Sequence, residues 1–119
     1  MSVIKIGIAP QEEIRRRVLG IAKGEIKAKP GDPKVWFTSM HSLAQVLSDE
    51  NRALLQVIRQ SKPESISALA EMTGRRQGNL SRTLKTMSRY GLVEMRLGPR
   101  GGRSLRPVTR IRRFEIVAA

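Results

Sequence analysis

The sequence predicts a mainly α-helical α+β fold, a run of short helices followed by a small β-hairpin. Three observations lead there. Apolar residues recur at helical spacing in three segments between Asp49 and Tyr90. Ser48, Ser65, Gly74 and Gly91 stand where those segments start or stop. Beyond Gly91 an apolar run, a Gly-rich stretch and a second apolar run read as two strands and their tip.

Gln11 to Lys23 forms the first expected helix. Ile14, Val18, Ile21 and Ala22 fall on one stripe, with Arg15, Arg16 and Arg17 on the other faces. Pro10, Glu12 and Glu13 suit its first turn. A helix this short is marginal alone in water, so it must dock on something. Lys27 to Pro33 (KAKPGDP) reads as a linker, which divides the chain into an arm, 1–34, and a main domain, 35–119. Val35 to Thr38 is a short strand and Met40 to Leu47 a brief helix. Ser48, Asp49 and Glu50 open the next helix, which runs to about Gln60 with Leu54, Leu55 and Ile58 inward. Lys62-Pro63-Glu64 breaks it, and Ser65 caps a third with Ile66, Leu69 and Ala70 inward. The helix from about Arg76 to Tyr90 buries Leu80, Leu84 and Met87, and Gly91 ends it. Leu92–Leu97 and Leu105–Val117 are the expected hairpin strands, the second irregular or at an edge because Pro107 cannot donate to a ladder.

The 119 residues suffice for one domain with an arm. Aromatics are only 3%, so the core must be aliphatic. With no cysteine, disulfide scaffolds, thiolate metal sites and Cys nucleophiles are excluded. No apolar run approaches the roughly 18–20 residues that span a bilayer, and the start MSVIKIGIAPQEE is not secretory, so a cytoplasmic address is expected. Lys and Arg number 23 against 10 Asp and Glu, a net charge of +13. Between Met72 and Arg113 twelve basic residues face one acid, Glu94. Such a block repels itself unless a polyanion is present, and nucleic acid is the commonest one.

Helix, tight turn, helix and basic hairpin is the order of a winged helix-turn-helix. Ala70 lets two helices cross closely, Gly74 permits the sharp turn, and Leu80 pins the second helix. The stretch ISALAEMTGRRQGNLSRTLKTMSRYGLVEMR resembles the winged helix-turn-helix of MarR- and ArsR-type bacterial and archaeal regulators. From VWFTSMHSLAQVL onward the chain is similar to a narrower group, small DNA-binding antitoxins. That resemblance implies a recognition helix at about 76–90 and a wing at the hairpin. Arg76, Gln77, Asn79 and Arg82 are the expected base readers, with Arg75 a fifth, since Arg pairs with guanine O6 and N7 and Asn or Gln with adenine N6 and N7. Ser67, Ser81 and Lys85 are expected on phosphates. Arg100 and Arg103, in the wing tip, suit a minor groove or the backbone.

Other chemistry finds no footing. His41 is the single histidine, so no His-based metal centre or Ser-His pair can form within one chain. KPGDPK lacks the ending of a nucleotide loop, and Trp36 and Phe37 are expected in the core. No enzyme activity, cofactor or metal is expected. The expected partner is double-stranded DNA, bound by a homodimeric repressor in association with the nucleoid, with residues 11–23 or 40–47 as the dimer seam. Two other readings stay open: an antitoxin whose arm covers a cognate toxin, and an RNA binder, against which stands the shortage of exposed aromatic pairs.

Overall fold

A computed structural model describes residues 3–99 and 104–118. These are arranged as β1 (Val3–Ile8), α1 (Gln11–Ala22), β2 (Val35–Phe37), α2 (Met40–Val46), α3 (Asp49–Ser61), α4 (Ile66–Thr73), α5 (Gln77–Arg89), β3 (Glu94–Leu97), β4 (Leu105–Val108) and β5 (Arg113–Ala118). The fold is α+β, and it divides into two compact units. One comprises the chain up to Gln45 together with the segment from Arg113; the other is Val46–Arg112.

The first unit is a three-stranded, all-parallel sheet in the order β2-β1-β5. Parallel neighbours cannot be joined by a tight turn, and α1 supplies the crossover between β1 and β2. In-register neighbours share a face, so Ile4, Ile6 and Ile8 of β1 lie beside Val35 and Phe37 of β2 and Phe114 and Ile116 of β5. Ile6 and Phe37 are fully buried. On the opposite face Gly7 pairs with Trp36, whose ring occupies the place where a Cβ would be, 2.5 Å away. The Arg17 guanidinium of α1 stands over that ring at 5.7 Å. Asp32 pairs with the same guanidinium at 2.5 Å and also accepts the Lys29 N–H at 2.8 Å.

These contacts overturn the expected linker. KAKPGDP does not separate two domains: Asp32 is tied to α1, the Gly31 carbonyl accepts from Lys5 Nζ of β1, and β2 pairs with β1. Residues 1–9, given no strand in the sequence reading, contain the central strand of the sheet. The apolar stripe of α1 is not covered within the single chain. Val18 is 58% exposed, and Leu19 and Ile21 are exposed with it, while Gly20 is the buried residue of the helix, closed against Ile26.

The second unit has an aliphatic core in which Leu54, Leu55 and Ile58 of α3, Leu69 of α4, and Leu80, Leu84 and Met87 of α5 are all buried. Ser48 and Ser65 cap α3 and α4, accepting from the N–H groups of Asn51 and Ala68 at 3.2 and 3.0 Å. β3 and β4 pair antiparallel, Glu94 with Val108 through to Leu97 with Leu105. The expected return strand 105–117 is two strands. After Val108 the Thr109 hydroxyl turns in to donate to the Leu92 carbonyl at 2.8 Å and accepts the Ile111 N–H at 3.3 Å. Arg59 then holds the Ile111 carbonyl at 3.0 Å, and β5 runs parallel to β1.

Gly7→Ala drives a methyl into the Trp36 ring and should cost about 1–3 kcal/mol, as overpacking does; thermal melts of this variant and of Gly7→Ala in a Trp36→Leu background should show the cost relieved in the latter. The Lys29 N–H and then Arg17 hold the Asp32 carboxyl below its ordinary range. A lowered folded-state pKa means stability present above about pH 4 and lost as pH falls through the lowered value. The melting difference between the parent and Asp32→Asn should therefore be largest near neutrality and shrink on acidification.

Candidate nucleic-acid interface

The turn between α4 and α5 is built from residues that cannot easily be otherwise. Gly74 takes φ 72°, a left-handed conformation that costs a side-chain-bearing residue energy, and its N–H closes α4 on the Ala70 carbonyl at 2.9 Å. Thr73 Oγ1 donates to the Leu69 carbonyl and accepts from the Arg75 N–H. The Arg75 side chain then crosses to α3, donating to the Glu50 carbonyl at 2.9 Å and to Asn51 Oδ1 at 3.4 Å. Asn51 in turn donates to the Val46 carbonyl at 3.0 Å. Arg75, expected among the base readers, is thus occupied as a brace between the turn and the start of α3.

The other expected residues on α5 do come together. With Leu80, Leu84 and Met87 buried, the helix period turns Gln77, Asn79, Ser81, Arg82 and Lys85 outward, and all are exposed. The helix contains no acid. Its N-cap, Arg76, is exposed and makes no side-chain cap to the first N–H groups of α5. Gly78 is a helical glycine with open space on its Cβ side, so neither backbone conformation nor internal packing calls for it.

Beside this helix end lies an open groove of about 350 Å³, lined by Ser65, Ile66, Ser67, Gln77, Ser104 and Leu105. The N-terminal turns of α4 and α5 meet the start of β4 there. Ser67 Oγ donates to Gln77 Oε1 at 3.1 Å, which leaves the amide NH₂ of Gln77 as a donor. As groove residues, Ser65 and Ser104 carry no signal in the sequence. The cap role is all that the sequence indicates for Ser65, and Ser104 reaches the groove through the pairing of β4 with β3.

On the hairpin Arg96 pairs across the ladder with Arg106 and bonds Glu94 at 3.0 Å. That bond, with Arg96's charge and more weakly that of Arg110, lowers the Glu94 carboxyl's pKa, while Glu94 raises that of Arg96. The one acid of the basic block is therefore paired. Leu97 and Leu105 close the ladder and are exposed, Leu97 at 64%. Arg100 and Arg103 lie outside the described residues. The whole unit carries fourteen Lys and Arg against five acids, a net of +9. Among the described residues no group of His, Cys, Asp and Glu could hold a metal ion, and no helix is long and apolar enough to cross a membrane.

A family model, HVO_A0114, matches residues 46–116, more than half of the chain. The chain belongs to the HVO_A0114 family. The HVO_A0114 segment spans the second unit and continues into β5, so the groove, α5 and the hairpin all lie within it. Neither the curated proteins nor the solved structures contain a match.

Arg75, before α5, and Arg82, within it, should separate cleanly on substitution. Arg75→Ala removes two bonds to α3 and should lower stability by about 1–3 kcal/mol, whereas Arg82→Ala, on the exposed face, should leave it within about 0.5 kcal/mol of the parent. Denaturant melts of the two variants check this.

Proposed function

We propose that this protein is a double-stranded DNA-binding regulator of winged helix-turn-helix type, with α5 as its recognition helix and the β3–β4 hairpin as its wing. The observation that carries the reading is the acid-free α5, which exposes Gln77, Asn79, Arg82 and Lys85 and sets Gln77 in the groove beside α4, in a unit of net +9. An α-helix fits the major groove, and these side-chain types match the donor and acceptor edges of guanine and adenine there.

In this reading Arg76, Gln77, Asn79 and Arg82 read bases. Ser67, Ser81 and Lys85 hold phosphates and set register. The uncapped first turn of α5 and the Gln77 amide favour an anion, and a backbone phosphate at the groove supplies one. Gly78 then has a reason: a side chain on that open side would stand where the nucleic-acid backbone approaches. Arg75 sets the angle between α3 and α5 and touches no base. Regulation of a promoter by a protein of this size calls for two copies on inverted half-sites, as a repressor would use.

Binding to the DNA upstream of its own gene, titrated across salt, tests the proposal. Saturable binding should beat random duplex and weaken steeply with salt as counterions are released. Arg82→Ala should lose about 1–3 kcal/mol of discrimination at one base position. Gly78→Ala should move two quantities in opposite directions, raising stability by roughly 0.5–1 kcal/mol while weakening DNA binding. Equal affinity for every duplex, or preference for structured RNA, would sink the reading.

A further inference from the structure

The hairpin divides its side chains between two faces. Met95 and Pro107 stand opposite each other on one, with Pro107 fully buried, and Arg96 and Arg106 stand opposite each other on the other. Directly opposed residues hold their Cβ atoms about 4.5–5.5 Å apart, and like charges so placed destabilise the ladder. Glu94, two residues before Arg96, shares their face but does not answer both cations. Its carboxylate bonds Arg96 at 3.0 Å, and the charges that lower its pKa are those of Arg96 and Arg110. Arg106 makes no ion pair among the described residues. Its Nε is shut off from solvent and has no hydrogen-bond partner, the one side-chain nitrogen or oxygen so placed among the described residues. A buried donor without an acceptor is costly, and an ion or a water commonly completes such a group.

We propose that Arg96 and Arg106 form a phosphate site on this face of the hairpin, the anion held between their two side chains. A guanidinium presents its N–H groups as a planar fork, and phosphate matches that fork with two oxygens at once. A phosphate has further oxygens to turn to the second arginine, so one group can serve both. It supplies the acceptor that Arg106 Nε lacks and turns the repulsion across the ladder into attraction. The face has both the room and the charge. A hollow of about 230 Å³ lies against Arg96, lined also by Glu94, Val108 and Arg110. Three arginines there face one acid, which itself keeps Arg96 in place.

Two sources share this chemistry: the phosphodiester backbone of a nucleic acid, and free phosphate or a small phosphorylated molecule. The inference does not rest on the DNA reading, since the site is defined by Arg96 and Arg106 without a duplex. Neither residue is among the contacts expected of the wing, Arg100 and Arg103.

The test is thermal melting of the full chain against inorganic phosphate, with chloride exchanged to hold ionic strength constant. The parent should melt higher as phosphate is added, because a ligand of the folded state stabilises it. Arg106→Met and Arg96→Met should each weaken the apparent affinity about tenfold. Arg106→Lys keeps the charge but loses the fork and Nε, and it should weaken binding as well. Arg16→Met, an exposed arginine of α1, should respond as the parent does. Without phosphate, Arg106→Met should melt no lower than the parent, since the opposed charge and the unpaired donor go together. A parent indifferent to phosphate would overturn the inference. So would an equal response in every variant, which would mean screening by an adventitious ion only, or a lower melting point of Arg106→Met without phosphate, which would make Arg106 a brace of the hairpin. A random duplex titrated across salt then separates the sources. If the backbone supplies the phosphate, Arg106→Met should lower the salt slope by about one. Unchanged duplex binding beside a lost phosphate response would support the site and assign it to the free anion.

Discussion

Leu80, Leu84 and Met87 occupy successive turns of α5, and once they are buried the helix has no freedom over which residues it shows to solvent. That constraint carries the rest of the second unit. It leaves Gln77, Asn79, Arg82 and Lys85 exposed and brings the first turn of α5 beside α4, where Gln77 meets Ser67. The turn at Gly74 sets the approach of the two helices, and Arg75 locks it by reaching back to α3. Hydrophobic burial thus does the aiming, and the polar chemistry follows from it.

A unit with so many like charges must still fold, and the distribution of its acids bears on how. Asp49 and Glu50 stand in the first turn of α3, and Asp49 pairs with Arg52 there. Glu94 is spent on Arg96 within the hairpin. Glu64 and Glu71 are the other two, and α5 itself holds no acid. Self-repulsion is offset where it would oppose folding and left in place on the surface that a polyanion would neutralise.

Helices were the legible part of the sequence because capping and period are local signals. Ser48, Ser65, Gly74 and Gly91 marked boundaries that the structure reproduces within a residue or two, and the buried stripe of α5 was readable from spacing. The sheet was much less so. Val3–Ile8 carries a lysine and a glycine in an otherwise apolar run, and its two partners lie about thirty and a hundred and ten residues away along the chain. Nothing local distinguishes Leu105–Val117 as one strand from two that serve different sheets; that depends on Thr109 turning inward to Leu92. At the candidate site the exposed residues of α5 were foreseeable, but the capture of Arg75 by α3 and the arrival of Ser104 at the groove are tertiary facts.

The pairing of β1 with β5 also sets an order of events. The second unit is inserted between α2 and β5, so a growing chain completes all three of its helices and both of its hairpin strands before the last strand of the first unit exists. Closing β1 on β5 then joins segments separated by most of the chain, a closure whose entropic cost is smaller when the intervening residues are already compact than when they are a free loop. The first unit is therefore late by construction. Its partly built sheet, with β1 exposed along one edge, waits on the synthesis of residues that lie beyond an entire folded neighbour.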